Sequence, residues 1–211
     1  MKFTCTHSGE CCTNPSTQIG LTLGDIQRIC KHTGKTTKGL FSDQIGLQPF
    51  GDASENIDVE LGLHIPCRFR KDNRCTIYSA RPLNCRLFPY WILADAPKEK
   101  MKEVLEPGCG CCKGFVMDEK DRPMYKAYKE ALAKIFLQEM EKTDAAMLEF
   151  NQQITISRDP DVSEKERIII AKKLIDHGRD ELMIEAMQKA VEEQEFAESQ
   201  ELNDAESLLE K

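Results

Sequence analysis

The apolar positions of this chain follow two rhythms, and the change comes near its midpoint. Early on, Leu23, Ile26, Ile29 and Cys30 recur at helical spacing. Thr22 and Asp25 stand at the N-cap and N3 positions of a capping box, with Asp in place of the usual Glu or Gln, and Gly34 follows as a stop. A helix is therefore predicted over residues 22–32. Residues 35–64 show little periodicity and are rich in Gly, Asp, Ser and Asn, so they read as loop with short strands around Ile57-Asp58-Val59-Glu60-Leu61. Cys67-Arg68-Phe69-Arg70 and Cys75-Thr76-Ile77-Tyr78 then flank the turn-like Lys71-Asp72-Asn73-Arg74, which predicts a short hairpin with a cysteine in each arm. Arg81-Pro82 breaks the chain before Cys85, and Phe88-Pro89-Tyr90-Trp91-Ile92-Leu93 reads as an aromatic, partly extended segment.

The second half is helical in character. From about Pro123 to Gln152, one face carries Met124, Tyr128, Leu132, Ile135, Phe136 and Met140. Asp159-Pro160 interrupts the pattern. Ser163 and Glu166 make a second capping box, opening a helix with Ile168, Ile169, Ala171, Leu174 and Ile175. Gly178 is placed as the residue just past its end. Another helix follows with Leu182, Met183, Ala186, Met187, Ala190 and Val191, and beyond Val191 the chain is dominated by Glu. These stripes are expected to pack on each other and on the first half. The alternative is that one of them, the Met-rich one in particular, receives a protein partner.

The fold class predicted from this pattern is mostly α. A loop-rich, metal-stapled module with a small α+β part forms residues 1–115, and a helical region with an acidic tail forms residues 120–211. Charge narrows the function classes. A net charge of −7 and no basic block argue against a nucleic-acid partner, which would need a cationic face for phosphates. The N-terminus has no apolar run resembling a signal peptide, and no stretch is long enough to span a bilayer, so the chain is expected to be cytoplasmic with no membrane partner.

That compartment bears on the ten cysteines, all of which precede residue 113. Reduced thiols in clusters point to metal ligands or redox groups rather than structural disulfides. Cys30 alone on a helix reads as a small packing residue. The other nine form three groups, Cys5, Cys11 and Cys12, then Cys67, Cys75 and Cys85, then Cys109, Cys111 and Cys112. Thiolates suit zinc and iron because a soft, anionic sulfur matches borderline and softer metals, and coordination stabilises a segment short of regular core. The spacing is not that of two C-x2-C knuckles. Adjacent cysteines such as Cys11-Cys12 tend to point apart, and nine candidates exceed the four that one tetrahedral site takes. Two mononuclear sites or one polynuclear cluster would each use the surplus. His7 and His64 stand near cysteines as supplementary candidates, whereas His32 and His177 read as partners of helix C-termini.

Three segments together resemble the cysteine-cluster proteins of the YkgJ type, described as zinc- or iron-chelating domains with a CxxCxxCC-like signature. They are Phe3-Thr4-Cys5-x5-Cys11-Cys12, Leu21-Thr22-x2-Asp25-Ile26, and Pro66-Cys67-x7-Cys75-x-Ile77-Tyr78-x2-Arg81-Pro82-x2-Cys85-Arg86-x-Phe88-Pro89. The resemblance covers residues 1–115. It implies a metal site on Cys5, Cys11, Cys12, Cys67, Cys75 and Cys85. One position departs from the family pattern: Ser8 stands where a further cysteine is usual, so that site either loses a ligand or takes a replacement from the 109–112 group or from His7. Some family members are labelled iron–sulfur oxidoreductases, and a related motif occurs in flagellin lysine N-methylases. No C-x3-C-x2-C motif, glycine-rich nucleotide loop or phosphate cradle accompanies the cysteines here.

Three function classes follow. The first is a metal-binding protein with a structural or cluster-carrying role, in which Tyr78, Arg81, Arg86 and Phe88 either surround the sulfur ligands and tune their charge or simply pack around the Arg-Pro turn. The second is a redox or methyl-transfer enzyme with an open coordination position or a reactive cysteine. The third is an adaptor, folded by its metal, that captures a protein through the C-terminal helices. The expected cofactor in each case is zinc, iron or an iron–sulfur cluster.

Overall fold

The computed structural model describes residues 8–15, 17–50, 58–100, 118–157 and 159–210. In chain order its elements are α1 (Glu10–Thr13), α2 (Leu23–Thr33), α3 (Thr37–Phe41), β1 (Ile45–Phe50), β2 (Asp58–Leu63), β3 (Arg70–Lys71), β4 (Arg74–Cys75), α4 (Leu83–Leu87), α5 (Tyr90–Asp95), α6 (Arg122–Ala146), α7 (Leu148–Ser157), α8 (Glu164–His177), α9 (Glu181–Glu193) and α10 (Ser199–Glu206). The fold is mostly α, as the apolar pattern predicts. No helix among the described residues is long and apolar enough to cross a membrane.

The helix boundaries follow their caps. At α2 the Thr22 hydroxyl accepts from the Asp25 N–H at 3.0 Å and the Asp25 carboxylate accepts from the Thr22 N–H at 3.1 Å. At the other end Gly34, with φ of 70°, donates to the Cys30 carbonyl in a left-handed cap that glycine adopts without steric penalty. Ser163 and Glu166 complete the same reciprocal box at α8. Gly178 differs from its expected role: it is right-handed, with φ of −63°, and a Cβ there would overlap Leu47, so close packing rather than backbone handedness favours glycine.

The chain divides into two compact units that each draw on several segments. The first takes in the described residues of Met1–Thr17, Ile65–Leu137 and Ala197–Lys211, the second those of Gln18–His64 and Gln138–Phe196. In the second unit β1 and β2 pair antiparallel, from Ile45 opposite Leu63 to Phe50 opposite Asp58. The period of two buries Ile45, Leu47, Val59, Leu61 and Leu63, and both α7 and α8 pack against the sheet. The poorly periodic stretch before residue 64 is thus more ordered than its composition suggests, containing α3 and β1 as well as the expected strand near Val59. Gly46 and Pro49 mask the strand pattern of Ile45 and Leu47 because both residue types are depleted in strands.

A buried ionic group locks α2 to α6 in this unit. The Arg28 guanidinium meets Glu139 at 2.5 Å and Asp25 at 2.6 Å, with all three side chains almost fully buried. The Thr22 hydroxyl donates to the other Glu139 oxygen at 2.5 Å, and the Leu23 N–H donates to Thr143 Oγ1 at 3.1 Å. Gly24 leaves room for the Glu139 carboxylate, which a Cβ at that position would overlap.

In the first unit, Tyr128 and Leu132 of α6 pack with Leu83, Leu202 and Ala205. Tyr125 joins Ile92, Leu93 and Ala94 in a second cluster. The aromatic segment at 88–93 is helical rather than extended from Tyr90 onward. At the end of α5 the carbonyls of Leu93, Ala94 and the C-cap Ala96 accept from Arg122 Nη1 at 2.9–3.3 Å. Helix α10, absent from the apolar pattern, also belongs to this unit and supplies the buried Leu202 and Ala205.

Candidate metal centre

Five cysteines from three stretches of sequence belong to the first unit: Cys11, Cys12, Cys67, Cys75 and Cys85. Each is half-buried and none is in a disulfide. Cys11 and Cys12 lie on the single turn α1. Gly9 precedes that turn with φ of 77°, a conformation that costs a residue with a Cβ about 1–2 kcal/mol. A Cβ at Gly9 would also overlap the Arg70 guanidinium, which donates to the Ser8 carbonyl at 3.1 Å and to Asn73 Oδ1 at 2.9 Å. Arg70 thereby ties the turn carrying Cys11 and Cys12 to the β3–β4 hairpin. A backbone bond from the Cys67 N–H to the Cys12 carbonyl, 2.8 Å long, joins the first cysteine group to the second.

The hairpin has the two-residue turn that its sequence predicts. Arg70 pairs with Cys75 and Lys71 with Arg74, while Asp72 and Asn73 adopt positive φ values of 49° and 59°. Cys75 lies within the second arm, but Cys67 sits in the turn before the first arm rather than on it. Cys85 comes from α4, which starts after Pro82.

The sulfurs feel one another's charge. Cys11 Sγ and Cys12 Sγ are 3.8 Å apart, within hydrogen-bond distance for sulfur. The hydrogen bond to Cys12, followed by burial, raises the Cys11 pKa, and the same bond lowers that of Cys12 against the opposing influence of burial and of Cys67, Cys85 and Cys75. The two sulfurs therefore titrate as a coupled pair, Cys11 pushed up and Cys12 down. Burial pushes Cys67 up, with Cys75 and Cys11 adding to it, while backbone N–H groups of Phe69 and Arg70 act the other way. Burial likewise raises Cys75, opposed by the Ile77 N–H and by the Arg81 guanidinium.

This donor set fits a soft or borderline cation. Several mutually repelling thiolates, each partly removed from water, are stabilised together only by positive charge among them. Among the described residues no three His, Cys, Asp or Glu side chains converge closely enough to hold a metal ion by themselves. The remaining candidates Cys5, Cys109, Cys111 and Cys112, with His7, lie outside the described residues. Cys30 and His64 belong to the second unit. There Cys30 Sγ lies 3.9 Å from Thr37 Oγ1, and the His64 backbone N–H donates to the Gln44 carbonyl at 3.0 Å.

Two arginines flank the turn between Cys75 and Cys85, and Arg81 acts on the Cys75 thiol. Arg81 lies over the Tyr78 ring, 3.9 Å from its centroid, and donates to the Tyr78 carbonyl at 2.7 Å. Arg86 is fully buried and donates to the carbonyls of Ser79 and Arg81. Both guanidiniums reach the same oxygen of Glu206 at 2.6 Å. Tyr128 closes the arrangement by donating to the Arg86 carbonyl at 3.2 Å. Phe88 instead packs against the Ile92, Leu93, Ala94 and Tyr125 cluster. Glu206 has no signal in the sequence, since it lies in a Glu-rich stretch more than a hundred residues from its partners.

A family model matches residues 4–110, and it is the one named CxxCxxCC and described as a "Putative zinc- or iron-chelating domain". No solved structure matches the chain.

Proposed function

The chain belongs to the CxxCxxCC family, and from that membership we propose that its first unit is a thiolate metal centre with a structural or cluster-carrying role. Cys11, Cys12, Cys67, Cys75 and Cys85 are the ligands drawn from the described residues, and Cys5, Cys109, Cys111 and Cys112 complete the set. The supporting observation is the gathering of Cys11, Cys12, Cys67, Cys75 and Cys85 into one unit, close enough that their charges oppose one another's ionisation. When bound, zinc or iron supplies a cross-link between chain segments, and iron in a cluster also supplies an electron site. The protein contributes the rest. The hairpin and α1 orient the sulfurs, backbone N–H groups from Phe69, Arg70 and Ile77 stabilise thiolate charge, and Arg70 and Arg81 add positive charge beside Cys11 and Cys75.

Elemental analysis with a visible spectrum, on protein purified without oxygen, tests this reading. Stoichiometric zinc in a colourless sample assigns a structural centre. Iron with broad visible absorption, bleached by reduction or air, assigns a cluster. Protein that folds and carries neither metal, and takes up neither when offered them under reducing conditions, overturns the proposal.

A further inference from the structure

The C-terminal helix α10 reaches the cysteine-bearing segment through one carboxylate. Glu206 bridges Arg81 and Arg86 through a single oxygen, 2.6 Å from each. These two guanidiniums are close enough to repel, and burial of Arg86 adds to the cost of its charge. A shared carboxylate is the ordinary remedy, because two like charges with restricted hydration need a counter-ion between them. The consequence reaches the sulfurs. Arg81 acts on Cys75, Arg86 is the neighbour of Cys85, and the carbonyls of Ser79 and Arg81 that Arg86 holds shape the turn between those two cysteines. Burial of Leu202 and Ala205 in the cluster around Tyr128 and Leu132 seats the helix that delivers the carboxylate.

We infer that Glu206 is a positioning residue for the metal centre: by clamping Arg81 and Arg86 together it fixes the turn from which Cys75 and Cys85 present their sulfurs, so α10 acts as a strap that sets metal affinity. This rests on the reading that those cysteines hold a metal. It gives a helix beyond residue 198 a part in chemistry whose proposed ligands all precede residue 113.

The test compares the wild-type chain with Glu206→Gln, Glu206→Asp and the control Glu201→Gln, an exposed carboxylate on the same helix. Zinc affinity is read by chelator competition, the sulfur-to-metal charge-transfer bands by cobalt(II) substitution, and the stability of the metal-free protein by denaturation. Glu206→Gln is expected to weaken zinc binding about tenfold or more and to shift the cobalt bands. Glu206→Asp should recover part of both, and Glu201→Gln should match wild type. Wild-type affinity and an unchanged cobalt spectrum in Glu206→Gln overturn the inference, and so does a loss of metal-free stability with no change in the cobalt bands. Should Glu206→Gln fail to fold, Glu206→Asp carries the comparison, and its identity to wild type in both readouts is the contrary result. Wild-type protein that takes up none of zinc, cobalt and iron under reducing conditions instead overturns the metal-centre reading itself.

Discussion

Glu139→Ala is expected to lower the stability of the protein by about 3–5 kcal/mol, the usual penalty for removing one partner of a buried ion pair. The side chain accepts from both terminal nitrogens of Arg28, at 2.5 and 3.0 Å, and from the Thr22 hydroxyl. Burial works against the charge of Arg28, yet Asp25 and Glu139 outweigh it and hold the guanidinium more firmly protonated than usual. Without Glu139 that charge stays buried with Asp25 as its remaining carboxylate in the group, and α2 loses its ionic tie to α6, keeping the Leu23 N–H bond to Thr143. Urea denaturation of the metal-free protein checks this, because the group lies in the unit that holds none of the proposed ligands. A midpoint shift equivalent to less than about 1 kcal/mol, the range of an exposed pair, would show that the group is far less buried in solution.

Cys67→Ser carries the largest expected effect on metal content. Cys67 is fixed from two sides, its N–H bonded to the Cys12 carbonyl and its carbonyl accepting from the Arg70 N–H at 3.1 Å, so its backbone is held in place between the two cysteine groups. Structural zinc sites in small peptides are worth about 10–16 kcal/mol over four ligands, so losing one thiolate should weaken zinc binding roughly a hundredfold or more. Cys30→Ser serves as the control. Its sulfur lies beside Thr37 in the other unit, and metal content should equal that of wild type. Chelator competition on the two variants distinguishes them. Equal affinity in Cys67→Ser and wild type would remove Cys67 from the ligand set.

The parts of this molecule that could be read in advance are those governed by local rules. The α2 and α8 caps follow from Thr22 with Asp25 and from Ser163 with Glu166, because a capping box needs only residues three apart. The Asp72-Asn73 turn is equally local, both residue types tolerating positive φ. The family resemblance, carried by Cys67, Cys75, Arg81-Pro82 and Cys85, agrees with the match over residues 4–110. What sequence concealed is non-local. Arg28 with Glu139 and Arg86 with Glu206 are each separated by more than a hundred residues, and a charged residue in a helical pattern gives no sign of being buried. Helix α10 leaves no apolar signature because, among its described residues, Leu202 and Ala205 alone reach the core, too few to form a stripe among so many carboxylates. Arg70 and Gly9 were hidden for a related reason, since their importance comes from meeting each other across sixty residues of chain.

The most direct test of the metal centre is X-ray absorption at the metal edge, on protein purified without oxygen and carrying its native metal. Coordination by the cysteine cluster predicts a first shell dominated by sulfur, at about 2.3 Å for zinc, and a loss of sulfur scattering in Cys67→Ser but not in Cys30→Ser. A first shell made only of nitrogen and oxygen would contradict the account, placing the metal away from the cysteines.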